Sequence, residues 1–169
     1  MGRKQVLTGF CLIALAIASQ TCAAQAIPPT AGQTLTGKRI VLAEAARGQT
    51  TILMAAFSRK AGDGCGAWVD ELEKDPAFAR AATYQIAMLA AAPSLLRGMI
   101  VSGIRKGLPP ARQDRFVVLT EDEKLWRDFF AVTADAEPYV MLIDATGQVL
   151  WHGHGAAVNL EPLLRGAMR

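Results

Sequence analysis

Apolar residues fall along this chain in short blocks separated by polar, glycine and proline breaks. Thr50-Thr51-Ile52-Leu53-Met54-Ala55-Ala56-Phe57 is nearly continuous in apolar character and lies between Gly48 and Ser58. That pattern predicts a strand covered on both faces, as in a parallel sheet. Thr83 to Leu89, Phe116 to Leu119 and Tyr139 to Ile143 read as strands on the same grounds. Leu35 to Leu42 reads as a strand approach, with Gly37 and Lys38 turning the chain into Arg39-Ile40-Val41-Leu42. A turn at Asp144-Ala145-Thr146-Gly147 then folds Gln148 to Trp151 back on Tyr139 to Ile143 as a hairpin.

A period near 3.6 marks helices between these strands. From Ala67 onward, Trp68, Val69 and Leu72 fall inward while Asp70, Glu71, Glu73 and Lys74 fall outward, until Asp75-Pro76 ends the helix. Three glycines in Gly62-Asp63-Gly64-Cys65-Gly66 predict a loop ahead of it. Ser94 to Leu108 carries Leu95, Leu96, Met99, Ile100, Ile104 and Leu108 at helical spacing. Arg97, Arg105 and Lys106 lie mostly off that stripe, which predicts a basic amphipathic helix with its apolar side on the sheet. Pro109-Pro110 stops it. Thr120 and Glu123 form a capping-box pattern for a helix carrying Leu125, Trp126, Phe129 and Phe130. A last helix is expected over Asn159 to Met168. Strands alternate with helices and end in a hairpin and helix. The chain is therefore expected to be α/β, with a central mixed sheet flanked by helices.

The N-terminus changes the inventory. Arg3 and Lys4 precede an apolar run of 14 residues, Val6 to Ser19, and Ala24-Gln25-Ala26 has the small-x-small form of a cleavage site. These features predict a secretory signal over residues 1–26 and a periplasmic location. The alternative is an uncleaved N-terminal membrane anchor, although the run is shorter than the roughly 20 residues a span needs. Residues 27–34 read as a short leader, and 35–169 as one domain. Cleavage takes Lys plus Arg from 18 to 16 against 15 acidic residues, so net charge falls from +3 to +1. That balance argues against general nucleic-acid binding. Cys11 and Cys22 leave with the signal, and Cys65 remains alone.

Candidate chemistry is sparse. Thiol–disulfide exchange of the two-cysteine type needs thiols three residues apart, but Gly62 and Trp68 hold those positions around Cys65. Cys65 therefore acts as a lone thiolate, favoured by a helix N-terminus with Arg59 and Lys60 near, or it is packing. His152-Gly153-His154 would project two imidazoles to one side of a strand, but two ligands do not close a metal site. No phosphate loop or Ser/His/Asp arrangement is evident, so no cofactor and no metal are expected. No acidic residue occurs between Pro76 and Gln113, where Arg80, Arg97, Arg105, Lys106 and Arg112 lie. Arg97, Arg105 and Lys106 are accordingly the candidate surface for a partner or for peripheral membrane contact.

The buried strand ahead of the Cys65 segment, Glu137-Pro138-Tyr139 before another strand, and the hairpin Leu142 to Val149 together resemble the thioredoxin-like fold over roughly residues 35–168. The resemblance implies a cis peptide at Pro138, close to Cys65. Tyr139-Val140-Met141-Leu142-Ile143-Asp144, Gly147, Trp151, Gly155-Ala156 and Glu161 resemble more closely the thioredoxin-like assembly factors of the mitochondrial ATP synthase Fo sector. Ile104-Arg105-Lys106-Gly107-Leu108-Pro109 is similar to a basic segment of that family. The implied function is a non-catalytic assembly factor or chaperone with a protein client, a subunit of a membrane-embedded complex among the candidates. A single-cysteine redoxin using Cys65 is the alternative. The bacterial-type export signal departs from the mitochondrial pattern.

Overall fold

The computed structural model describes residues 26–158 together with 162, 164, 165 and 168. The signal segment and the Ala24-Gln25 part of its cleavage site lie outside the described residues.

The apolar block after Gly48 becomes β3 (Thr51–Ala56), and all six of its residues are buried. Its backbone pairs in parallel with β4 (Ala82–Met88) and antiparallel with β6 (Tyr139–Ile143), so that Leu53 sits between Tyr84 and Met141. A strand flanked on both edges and covered on both faces must be apolar throughout, which accounts for its composition. β5 (Phe116–Leu119) extends the parallel part, and β7 (Val149–His154) closes the hairpin with β6. Two short strands complete the other edge, β1 (Ala31–Thr34) and β2 (Arg39–Val41). Among the described residues the sheet runs β2-β1-β5-β4-β3-β6-β7.

Alternating side chains build a core on each face. On one face, Leu53, Ala55, Ile86 and Val117 meet α1 (Leu42–Ala45) through Leu42 and α5 (Glu123–Phe130) through Trp126, Phe129 and Phe130. On the other, Ile52, Met54, Val140 and Leu142 meet α2 (Arg59–Lys74) through Cys65, Trp68 and Leu72. Further along that face, α3 (Ser94–Gly107) covers Ala87, Phe116 and Val118 with Val101 and Ile104. The short α4 (Pro110–Gln113) is tied to α2 by Arg112, whose Nη2 lies 2.8 Å from Asp70 Oδ1 and whose Nε lies 2.9 Å from Glu73 Oε1.

Five expectations change. Residues 62–66 are not a loop: α2 starts at Arg59, with the Ser58 hydroxyl accepting a hydrogen bond from the Ala61 amide at 3.2 Å. Burial of Trp68, Val69 and Leu72 outweighs the glycine cost of roughly 0.5–1 kcal/mol per residue. Residues 31–34 are not leader but strand β1, paired with β2 and β5, and Ile27 is already in the core. The helix after β5 does not use Thr120 as its cap. It begins behind Asp122, whose backbone is left-handed (φ +55°) and whose carboxylate accepts the Thr30 hydroxyl at 2.7 Å. Helix α3 turns Leu95, Leu96 and Met99 outward and buries none of its residues fully.

The fifth change is at Pro138. No peptide bond among the described residues is cis, Glu137–Pro138 included. A turn closed by the Glu137 amide on the Ala134 carbonyl already delivers the chain to β6, so a trans bond suffices. Of the last helix, residues 159–161, 163, 166 and 167 lie outside the described residues, while 157, 158, 162, 164 and 165 are helical. No described helix is long and apolar enough to cross a membrane.

Candidate functional site

Cys65 sits almost two turns into α2, in a helix capped at Ser58. The favourable end of a helix dipole reaches only its first turn, so it does little for this thiol. The side chain belongs to the core cluster that includes Met54, Trp68 and Val140, with 0% of its surface exposed. Burial without a charged partner pushes the thiol up to about 12, since desolvation penalises the thiolate. Arg59 and Lys60 lie on the exposed surface at the helix start. Cys65 is free of any disulfide.

Pro138 is buried and packs on this helix at the residue beside the cysteine. A Cβ on Gly64 would stand 2.9 Å from Pro138 Cγ and 3.0 Å from Cδ. Gly64 is therefore the residue that lets α2 approach the start of β6. Gly62 and Gly66, on the same helix, face open space. Trp68 fixes the other side of the contact by donating from Nε1 to the Gly155 carbonyl at 2.9 Å and by packing on Trp151.

An ordered polar and aromatic rim surrounds the start of α2. The Ser58 hydroxyl donates to the Asp135 carbonyl at 2.6 Å. Arg127 reaches Asp135 Oδ1 and Glu123 Oε1, each at 2.7 Å, and lies 4.9 Å from the centre of the Phe57 ring. The Asp135 carboxylate is held below its ordinary range chiefly by the Arg127 hydrogen bond, and Arg127 is raised chiefly by Asp135. The Tyr139 hydroxyl accepts the Thr133 and Ala134 amides at 2.8 Å, and its ring stacks on His154. Sequence reasoning missed this rim; the four-residue step from Glu123 to Arg127 was its one local signal.

The histidine pair is placed on alternate, exposed positions of β7. His154 Nδ1 pairs with Glu137 Oε2, and no cluster of three His, Cys, Asp or Glu side chains suited to a metal occurs among the described residues. The basic trio divides. Arg97 is half-buried and donates from Nε to the Ala92 carbonyl and from Nη2 to the Ala90 carbonyl, at 2.9 and 2.8 Å. Arg105 and Lys106 are exposed at the far end of α3.

Solved structures of the same fold include a protein described as thiol:disulfide interchange protein DsbE from Chlorobium tepidum. It has a TM-score of 0.60 and 14% identity, over 85% of this chain and 96% of that one. The exposed lipoprotein thioredoxin Etrx1 of Streptococcus pneumoniae matches at TM-score 0.57 and 14% identity, over 82% and 96%. BsSco, a member of the Sco family of cytochrome c oxidase assembly proteins, matches at 0.55 and 13%, over 85% and 93%. These likenesses establish a thioredoxin-like fold. No curated protein matches the chain. A family model, that of the ATP10 protein, matches residues 17–164, so the chain belongs to the ATP10 family of ATP synthase assembly factors and is an assembly factor of thioredoxin-like fold.

Proposed function

We propose that this assembly factor works by contact and not by thiol exchange, on a protein client of a membrane complex such as the ATP synthase, after export to the periplasm. One observation carries the non-catalytic part. The one cysteine among the described residues, Cys65, lies almost two turns inside α2, is fully buried and is raised to about 12. At neutral pH such a group is protonated and out of reach of a disulfide or peroxide. The surrounding residues spend their polar atoms on one another: Trp68 on Gly155, Tyr139 on residues 133 and 134, Arg127 on Asp135 and Glu123. This argues for a stiff surface more than for a centre that must accept and release bonds. Family membership supports the client class, and Arg3, Lys4 and the apolar run up to Ser19 support export.

Deleting the gene and measuring assembled ATP synthase in membranes tests the client. The expected result is a loss of the assembled complex with its free subunits still synthesised, and normal assembly would overturn it. N-terminal sequencing of the accumulated protein tests export. A start at or near Ile27 is expected, whereas an intact Met1 or Gly2 would place the protein behind an uncleaved segment.

A further inference from the structure

We propose that the groove between α3 and the β1–β2 edge binds the phosphate of an anionic phospholipid, and that α3 rests on the surface of an anionic bilayer there. The groove has a volume of about 560 Å³. Arg39, Arg97 and Arg105 line it, Val101 and Val118 contribute apolar surface, and Glu121 is the one carboxylate on its rim. Arg97 is already held in place through its bonds to the Ala90 and Ala92 carbonyls, which leaves Nη1 unused. A guanidinium fixed in this way loses little freedom on meeting an anion, and its planar fork suits phosphate oxygens. Among the described residues, no carboxylate pairs with Arg39 or Arg105.

The neighbouring surface selects a lipid over a soluble phosphate. On α3, Gly98, Val101 and Arg105 form the stripe that faces the groove. Leu95, Met99, Ser102 and Lys106 form the adjacent stripe, since residues three and four apart are neighbours on a helix. Leu95 is 93% exposed, Met99 67% and Leu96 44%. From Leu95 to Arg105 the helix rises about 15 Å. Apolar side chains at one end of α3 would enter the bilayer boundary while the cations at the other meet headgroups. Interfacial segments use this combination of apolar tips and cations. The proposal is independent of the client reading, because its test contains no client.

The test is co-sedimentation of the full chain with vesicles of phosphatidylglycerol in phosphatidylcholine and of phosphatidylcholine alone. The readout is the ratio of the two affinities in each variant relative to that in wild type, so that the N-terminal segment with Arg3 and Lys4, common to all, drops out. Arg39→Gln with Arg105→Gln should lower that ratio by roughly thirty-fold, on the scale of two surface cations. Replacing the same pair by lysine should retain most of it. Leu95→Ser with Met99→Ser should weaken binding to the anionic vesicles about tenfold. Arg47→Gln with Arg80→Gln, at the opposite end of the parallel strands, should leave the ratio unchanged. Thermal unfolding of each variant checks the fold. An unchanged ratio in the groove variant, or an equal fall in the Arg47 and Arg80 control, would overturn the proposal. Displacement by millimolar glycerol 3-phosphate, with no effect of the apolar substitutions, would assign the groove to a soluble phosphate ester instead.

Discussion

Gly62, Gly64 and Gly66 share one helix and differ only in what stands beside them. Adding a methyl group to a helical glycine gains roughly 0.5–1 kcal/mol in backbone entropy. At Gly62 and Gly66 nothing within 4 Å opposes it, so Gly62→Ala and Gly66→Ala should each raise the unfolding temperature by about 2–4 °C. At Gly64 the methyl would meet the Pro138 ring, and Gly64→Ala should lose about 1–3 kcal/mol. Thermal melts of the three variants check the signs, and a stabilised Gly64→Ala would show that α2 and β6 are not in contact. This contact was hidden in the sequence, because a count of glycines does not reveal which one faces a proline 74 residues away. The thiol of Cys65 gives a pH test. Its native value of about 12 exceeds the ordinary 9.0, so above pH 9 the unfolded chain releases a proton that the native one keeps. Stability from this group is complete below pH 9 and is lost as pH rises toward 12, at up to about 1.4 kcal/mol per unit. The stability difference between wild type and Cys65→Ala should be constant below pH 9 and shift against wild type only in that window, and a constant difference there would mean the thiol is exposed.

Strands were legible where composition alone decides the outcome: β3, β4, β5 and β6 are short apolar runs with no other stable fate than a covered sheet. Elements whose fate depends on a distant partner were not. β1 contains Gly32, whose missing side chain admits Val117 and Leu119 from β5, and nothing local announces that approach. The Thr120 capping pattern failed because Asp122 is engaged by Thr30 across 92 residues. Helix α3 showed a helical period, but the sheet uses Val101 and Ile104 and leaves Leu95 and Met99 in solvent. Since α3 buries no residue fully while α2 buries five, α3 should open locally at lower free energy than α2. Native-state hydrogen exchange should find the α3 amides exchanging well before those around Cys65 and Trp68. Equal protection of the two helices would show that α3 is held more firmly than its packing implies.

For the whole molecule, the fold and family were readable from the hairpin residues Tyr139 to Trp151, while the character of the site was not, because burial of Cys65 follows from α2 starting at Arg59. The central claim is that a thioredoxin-like body performs assembly without thiol chemistry. Serine is a poor probe here: a hydroxyl in that apolar pocket would lie buried without a designed partner and cost about 1–3 kcal/mol. Alanine leaves only a small cavity and no unpaired polar atom. The deciding measurement is the amount of assembled ATP synthase in cells whose only copy of the protein carries Cys65→Ala, normalised to the level of folded variant. The account predicts assembly equal to wild type. Assembly as low as in the deletion, with Cys65→Ala present and folded, would contradict it and make the thiol a working group.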